Sequence, residues 1–81
     1  MKVNPVGSNM TEVETMLNSG KTAKILFSYK TPVAACIEGV CYKTAYKWSV
    51  TTSRHINKWL DGMTAEVMPQ SFFDDLETNP M

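Results

Sequence analysis

The sequence predicts an α+β domain: a meander-like antiparallel sheet of three to five strands, one main helix over about 52–61 and a short C-terminal helix over about 69–76. Three observations carry this expectation. Between Thr11 and Lys47 apolar residues recur mainly at alternate positions, the period of a half-buried strand. Turn-forming residues interrupt that run at Asn18-Ser19-Gly20, Lys30-Thr31-Pro32 and Glu38-Gly39. Beyond Trp48 the period changes, and Ile56, Trp59 and Leu60 fall on one helical stripe.

Residues 1–9 hold Pro5, Gly7, Ser8 and two asparagines without a period, and read as an irregular arm before a single domain spanning 10–77. The first strand, Thr11–Leu17, places Val13, Thr15 and Leu17 on one side. Gly20 supplies the positive φ of the loop that follows. The second, Thr22–Tyr29, sets Ile25, Phe27 and Tyr29 against Lys24, Leu26 and Ser28. Pro32 lacks an N–H and opens the third strand, which runs to Ile37 and returns through Glu38-Gly39 as Val40–Lys47. This register opposes Ile37 to Val40, Cys36 to Cys41, Ala35 to Tyr42 and Val33 to Thr44. One face then carries Val33, Ala35, Ile37, Val40, Tyr42 and Tyr46 as core, while Ala34, Cys36, Cys41, Lys43, Ala45 and Lys47 form a small, basic, wet face. Thr51, Thr52 and Ser53 are acceptable N-caps for the main helix, and Gly62 stops it. Ala65–Met68 reads as a short strand. Pro69 opens the last helix, whose Phe72, Phe73 and Leu76 share a face, with 78–81 as a frayed tail. Helical cover is expected on one face of the sheet.

With 81 residues, 43% hydrophobic and 20% charged, the chain is a folding domain that buries about 60–65% of its unfolded surface, too small for a large internal cavity. It has no apolar run near the roughly 18 residues of a membrane span and no secretory apolar core at its start, so a cytoplasmic location is expected. The formal charge is zero but unevenly spread. Every base except Lys2 lies within 21–58, where Glu38 is the sole acid, and 59–81 hold five acids and no base. Either the middle forms a basic binding face, or the acidic end packs near it and neutralises it.

Cys36 and Cys41 oppose one another in the hairpin register, about 4.5 Å apart at Cα for such a pair, at the short end of the disulfide range. An intracellular setting favours reduced thiols. These two with His55 fall short of the four protein ligands of structural zinc, so no metal and no cofactor is expected. His55 lies two positions from Ser53 and points elsewhere on the helix, and the chain holds no nucleophile elbow or phosphate-cradling glycine loop. No residue is assigned a catalytic role, and His55 is expected to pack beside Trp59.

The chemistry that does collect is anion binding. Thr51, Thr52 and Ser53 supply hydroxyls at a helix start, Arg54 and Lys58 add cations one turn apart, and Lys43 and Lys47 extend the patch along the preceding strand. Tyr46 or Trp48 could stack on a base. A non-enzymatic binding module that contacts nucleic-acid phosphates is the leading expectation. The alternative is a protein-binding module or inhibitor acting on a host protein through a sheet edge or mixed-charge surface, and an exposed edge also leaves homodimerisation open. The plain reading of the same residues is that the hydroxyls cap and the cations are a solvated face.

Ile25-Leu-Phe-Ser-Tyr-Lys-Thr-Pro-Val-Ala-Ala35 and Trp48-Ser-Val-Thr-Thr-Ser-Arg-His-Ile-Asn-Lys-Trp-Leu-Asp-Gly62 resemble a family of small bacteriophage proteins without an established activity. Asn4-Pro-Val-Gly-Ser-Asn9 and Pro69-Gln-Ser-Phe-Phe73 are similar too. The resemblance implies a phage-encoded protein acting in an infected bacterium, with nucleic acid or a host protein, including a defence component, as partner. It implies no catalytic residue or cofactor.

Overall fold

Alternating apolar residues need a partner strand for each edge and a cover for each face, and both are found in a computed structural model describing residues 2–7, 9–17 and 20–78. The elements are β1 (Lys2–Gly7), β2 (Met10–Met16), β3 (Thr22–Ser28), β4 (Thr31–Ile37), β5 (Val40–Thr44), α1 (Val50–Leu60), β6 (Ala65–Met68) and α2 (Gln70–Thr78). They build one six-stranded sheet in the order β1-β2-β3-β4-β5-β6. The first five strands form an antiparallel meander, and α1 crosses over so that β6 pairs parallel to β5.

The α+β class holds, with more strands than three to five. The additional edge strand, β1, lies in the segment that reads as an irregular arm. Pro5 and Gly7 hide it in the sequence, yet an outer edge tolerates a proline, and the ladder shifts register between those two residues. The expected strand Val40–Lys47 stops at Thr44, and the main helix starts at Val50 rather than Thr52. Residues 79–81 of the expected frayed tail lie outside the described residues, and Thr78 belongs to α2.

Helical cover on one face is corrected to cover on both. On one side α1 lays Ile56 and Leu60 against Met10, Leu26, Val33, Ala34 and Cys41, and on the other Phe73 of α2 packs among Ala23, Ile25 and Ala35. Ala34, Cys36 and Cys41 of the face expected to be wet therefore form the floor beneath α1, while Ala45 and Lys47 stay exposed. The small side chains of that floor let a helix approach closely, which is why alanine and cysteine stand there. Val33 was expected beside Ala35. A bulge prevents this: Leu26 pairs with Ala34 but Phe27 with Pro32, so Val33 is the extra residue and joins the α1 side. Proline, which cannot donate to the ladder, sits beside that irregularity. The pairs Ile37–Val40, Cys36–Cys41 and Ala35–Tyr42 form as expected, set by a two-residue turn in which Glu38 and Gly39 both have positive φ (50° and 85°). Thr44 does not oppose Val33. It pairs with Met68 of β6.

Candidate functional site

The segment from Lys43 to Lys58 wraps from β5 over a short connection into α1, and three groups of interactions fix it. The first is the helix start. The N-cap is Ser49, not Thr51, Thr52 or Ser53: its hydroxyl accepts from the Thr52 N–H at 3.1 Å and its carbonyl accepts from Ser53 N–H at 3.1 Å. A serine in extended backbone immediately before the helix is the preferred cap.

The second group ties α1 to β3. Ser49 Oγ donates to Thr52 Oγ1 at 3.2 Å, Thr52 Oγ1 lies 3.1 Å from Ser28 Oγ, and Ser28 Oγ lies 2.8 Å from His55 Nδ1. The donor order that satisfies every hydroxyl runs from Ser49 through Thr52 and Ser28 to His55, with the ring accepting at Nδ1. Ser28 and Thr52 are buried, so these bonds replace lost water. The His55 ring lies 6.0 Å from Tyr29, and Trp59 Nε1 donates to Glu12 at 2.9 Å.

The third group is centred on Gln70, which sequence reasoning missed. Its Oε1 accepts from Thr44 Oγ1 at 2.8 Å and from Trp48 Nε1 at 3.1 Å, and its Nε2 donates to the Pro32 carbonyl at 2.8 Å and to Asp74 at 3.2 Å. Thr44 Oγ1 in turn accepts from the Tyr46 N–H at 3.1 Å. One amide therefore holds the connection from both ends. Tyr46 and Trp48 are left half in solvent with their rings 4.5 Å apart. A glutamine following a proline at a helix start was the only signal in the sequence.

Between β5, this connection and α1 runs a groove of about 330 Å³ lined by Lys43, Lys47, Ser53, Ile56, Asn57 and Val67. Of the seven residues expected at an anion site, the groove gathers Lys43, Lys47 and Ser53. Thr51, Arg54 and Lys58 are exposed on α1 but do not line it. Thr52 leaves the set, since its hydroxyl is buried and bonded. The helix α2, which carries Asp74 and Asp75, packs on the face of the sheet opposite α1. Among the described residues no group of three or more His, Cys, Asp or Glu side chains is placed to hold a metal ion. No helix among them is long and apolar enough to cross a membrane.

The expectation of reduced thiols is also corrected. Cys36 and Cys41 are joined by a disulfide across β4 and β5, their Cα atoms 4.0 Å apart. The narrow pairing of a non-hydrogen-bonded position, which argued against the bond, is the same feature that brings the sulfurs together.

No curated protein and no solved structure matches the chain. The model of one protein family does match, over residues 1–75, a span that takes in the whole sheet, α1 and the first turns of α2. The chain therefore belongs to DUF8033, a family of unknown function.

Proposed function

We propose that this protein is a non-enzymatic binding module for single-stranded nucleic acid, seated in the groove between β5 and α1. The observation that carries the reading is the pairing of Lys43 and Lys47 with Tyr46 in that groove, the Tyr46 ring lying 4.5 Å from the exposed ring of Trp48. Cations contact phosphate without regard to sequence, and exposed rings offer stacking surfaces that only unpaired bases can reach. Ser53 and Asn57 add neutral hydrogen-bonding groups on the helix wall, and Arg54 and Lys58 continue positive charge along the outer side of α1. The setting is the cytoplasm, and the resemblance to small phage proteins makes an infected bacterium the natural context.

Fluorescence anisotropy with labelled single- and double-stranded DNA and RNA over a salt series tests this. For single strands log K falls with log salt by about 0.7 per neutralised phosphate. Four cations give a slope of about −2.8, roughly a 50-fold loss between about 50 and about 200 mM salt. Lys43→Ala/Lys47→Ala should lower the slope by about 1.4. A flat salt response, or no retention of either nucleic acid at low salt, removes the proposal.

The second reading rests on β1. Its outer edge is unpaired in the sheet order, and it exposes Val3 at 58% and Val6 at 37%. An extended segment of a host protein adding to that edge suits such a strand, as does a second copy of the chain. Crosslinking or a pull-down reduced by a Val3→Lys change, with nucleic acid ignored, would favour it.

A further inference from the structure

On the α1 side of the sheet, away from the lysine groove, a cleft of about 470 Å³ opens between the β4–β5 hairpin and the end of α1. Its lining joins the Cys36–Cys41 disulfide to Lys24, Glu12, Glu38 and Trp59. We infer that this cleft is a thiol–disulfide exchange site, at which the Cys36–Cys41 bond accepts two electrons from an uncharged or cationic dithiol.

Three observations lead there. The bond is redundant as a staple. Its cysteines are five positions apart and already aligned by the Glu38-Gly39 turn and by the ladder pairs Ile37–Val40 and Ala35–Tyr42 on either side. A crosslink across so short a loop removes less chain entropy than one that closes a long loop, and opening it leaves the hairpin's other restraints in place. The bond is also reachable. Both cysteines line the cleft, and Cys36 is more open to solvent than Cys41, which is 8% exposed among the α1 floor residues. Exchange rates depend on such access. Finally the lining is charged. Lys24, the ladder partner of Cys36, is set against Glu12 and Glu38, a balance that repels an anionic thiol and admits a neutral or cationic one. In the cytoplasmic setting proposed above, disulfides that persist are characteristically redox-active rather than structural.

The exchange balances as two displacements. A thiolate of the dithiol attacks Cys36 Sγ, the Cys36–Cys41 bond breaks, and Cys41 leaves as thiolate and takes a proton from water. The second thiol, deprotonated, then attacks the mixed disulfide at the reagent's sulfur. Cys36 is released as thiolate and protonated, and the dithiol departs as its cyclic disulfide with two electrons fewer.

Reduction of the intact protein by dithiothreitol, quenched with iodoacetamide and read by mass spectrometry, tests the inference without nucleic acid, so its outcome is separate from that of the anisotropy titration. Two adducts should form per chain while far-UV circular dichroism stays folded, at a rate unchanged by sub-denaturing urea. With rates expressed per thiolate and referred to those with a small neutral disulfide, cysteamine should react about threefold or more faster than mercaptoacetate, a difference that narrows in salt, as expected for about one unit of charge near the sulfur. Lys24→Gln should slow mercaptoacetate by about a further threefold. A rate that climbs with urea in step with unfolding would overturn the inference, because the bond would then open only when the fold does. Equal rates for the two charged thiols would overturn the cleft as the site that selects the reagent.

Discussion

Replacing Phe73 by alanine is expected to cost about 4–5 kcal/mol, the upper part of the range for a buried aromatic ring. The size follows from what surrounds the ring. Phe73 is fully buried, and the floor beneath it is Ala23, Ile25 and Ala35 on the two central strands. An alanine has no side chain to swing into a hole, and β3 and β4 are held by neighbours on both sides, so the floor cannot close the cavity, and only the partly buried side chains around the ring, among them Tyr42, Met68 and Phe72, can move toward it. A domain of 81 residues has about 4–12 kcal/mol in total, which places the variant close to unfolding. Urea denaturation followed by circular dichroism would show it as a fall in midpoint of about 3 M, taking an m-value of about 1.5 kcal/mol/M. Phe73→Leu, which keeps most of the apolar volume, should lose clearly less. The consequence reaches the groove, since Phe73 and Gln70 lie one turn apart on α2 and the anchored helix is what lets Gln70 reach Trp48. A loss under about 1 kcal/mol with an unchanged m-value would refute the reasoning, because a fully buried ring over a rigid floor cannot be removed so cheaply.

Gln70→Ala removes the acceptor of the Thr44 hydroxyl and the Trp48 indole and the donor to Pro32, and should cost about 1–3 kcal/mol in chemical denaturation. It should shift Trp emission to the red and weaken single-strand binding while leaving the salt slope unchanged, because the slope counts phosphates and not rings. Ser28→Ala strips Thr52 and His55 of a shared partner and should destabilise by about 1–3 kcal/mol in the same assay. Combined with His55→Phe it should cost less than the two changes summed, since one bond serves both, and strict additivity would show that the pair is not coupled.

Local signals in the sequence determine much of this protein. Alternation locates β2 to β5, the Ile56–Leu60 spacing locates α1, and Glu38-Gly39 alone sets the register that opposes Cys36 to Cys41, because a two-residue turn leaves no freedom to slip. Ala65–Met68 was legible as a strand to the residue. The basic character of 43–58 was legible too, and with it Lys43, Lys47 and Ser53 of the candidate groove. What the sequence could not settle depends on residues far apart along the chain. Whether a face of alternating small residues is wet or covered is decided by where α1 and α2 return, and they return to opposite faces. Thr52 reads as a free hydroxyl until Ser28, 24 positions away, is brought within 3.1 Å of it. Gln70 carries no assignment in the sequence, and it is the sheet that sets it beside Thr44, 26 positions away, and Trp48, 22 away. Periodicity and turn chemistry act over a few residues and are written in the sequence, whereas burial and hydrogen-bond partnership are properties of the assembled layers and exist only once the chain has closed on itself.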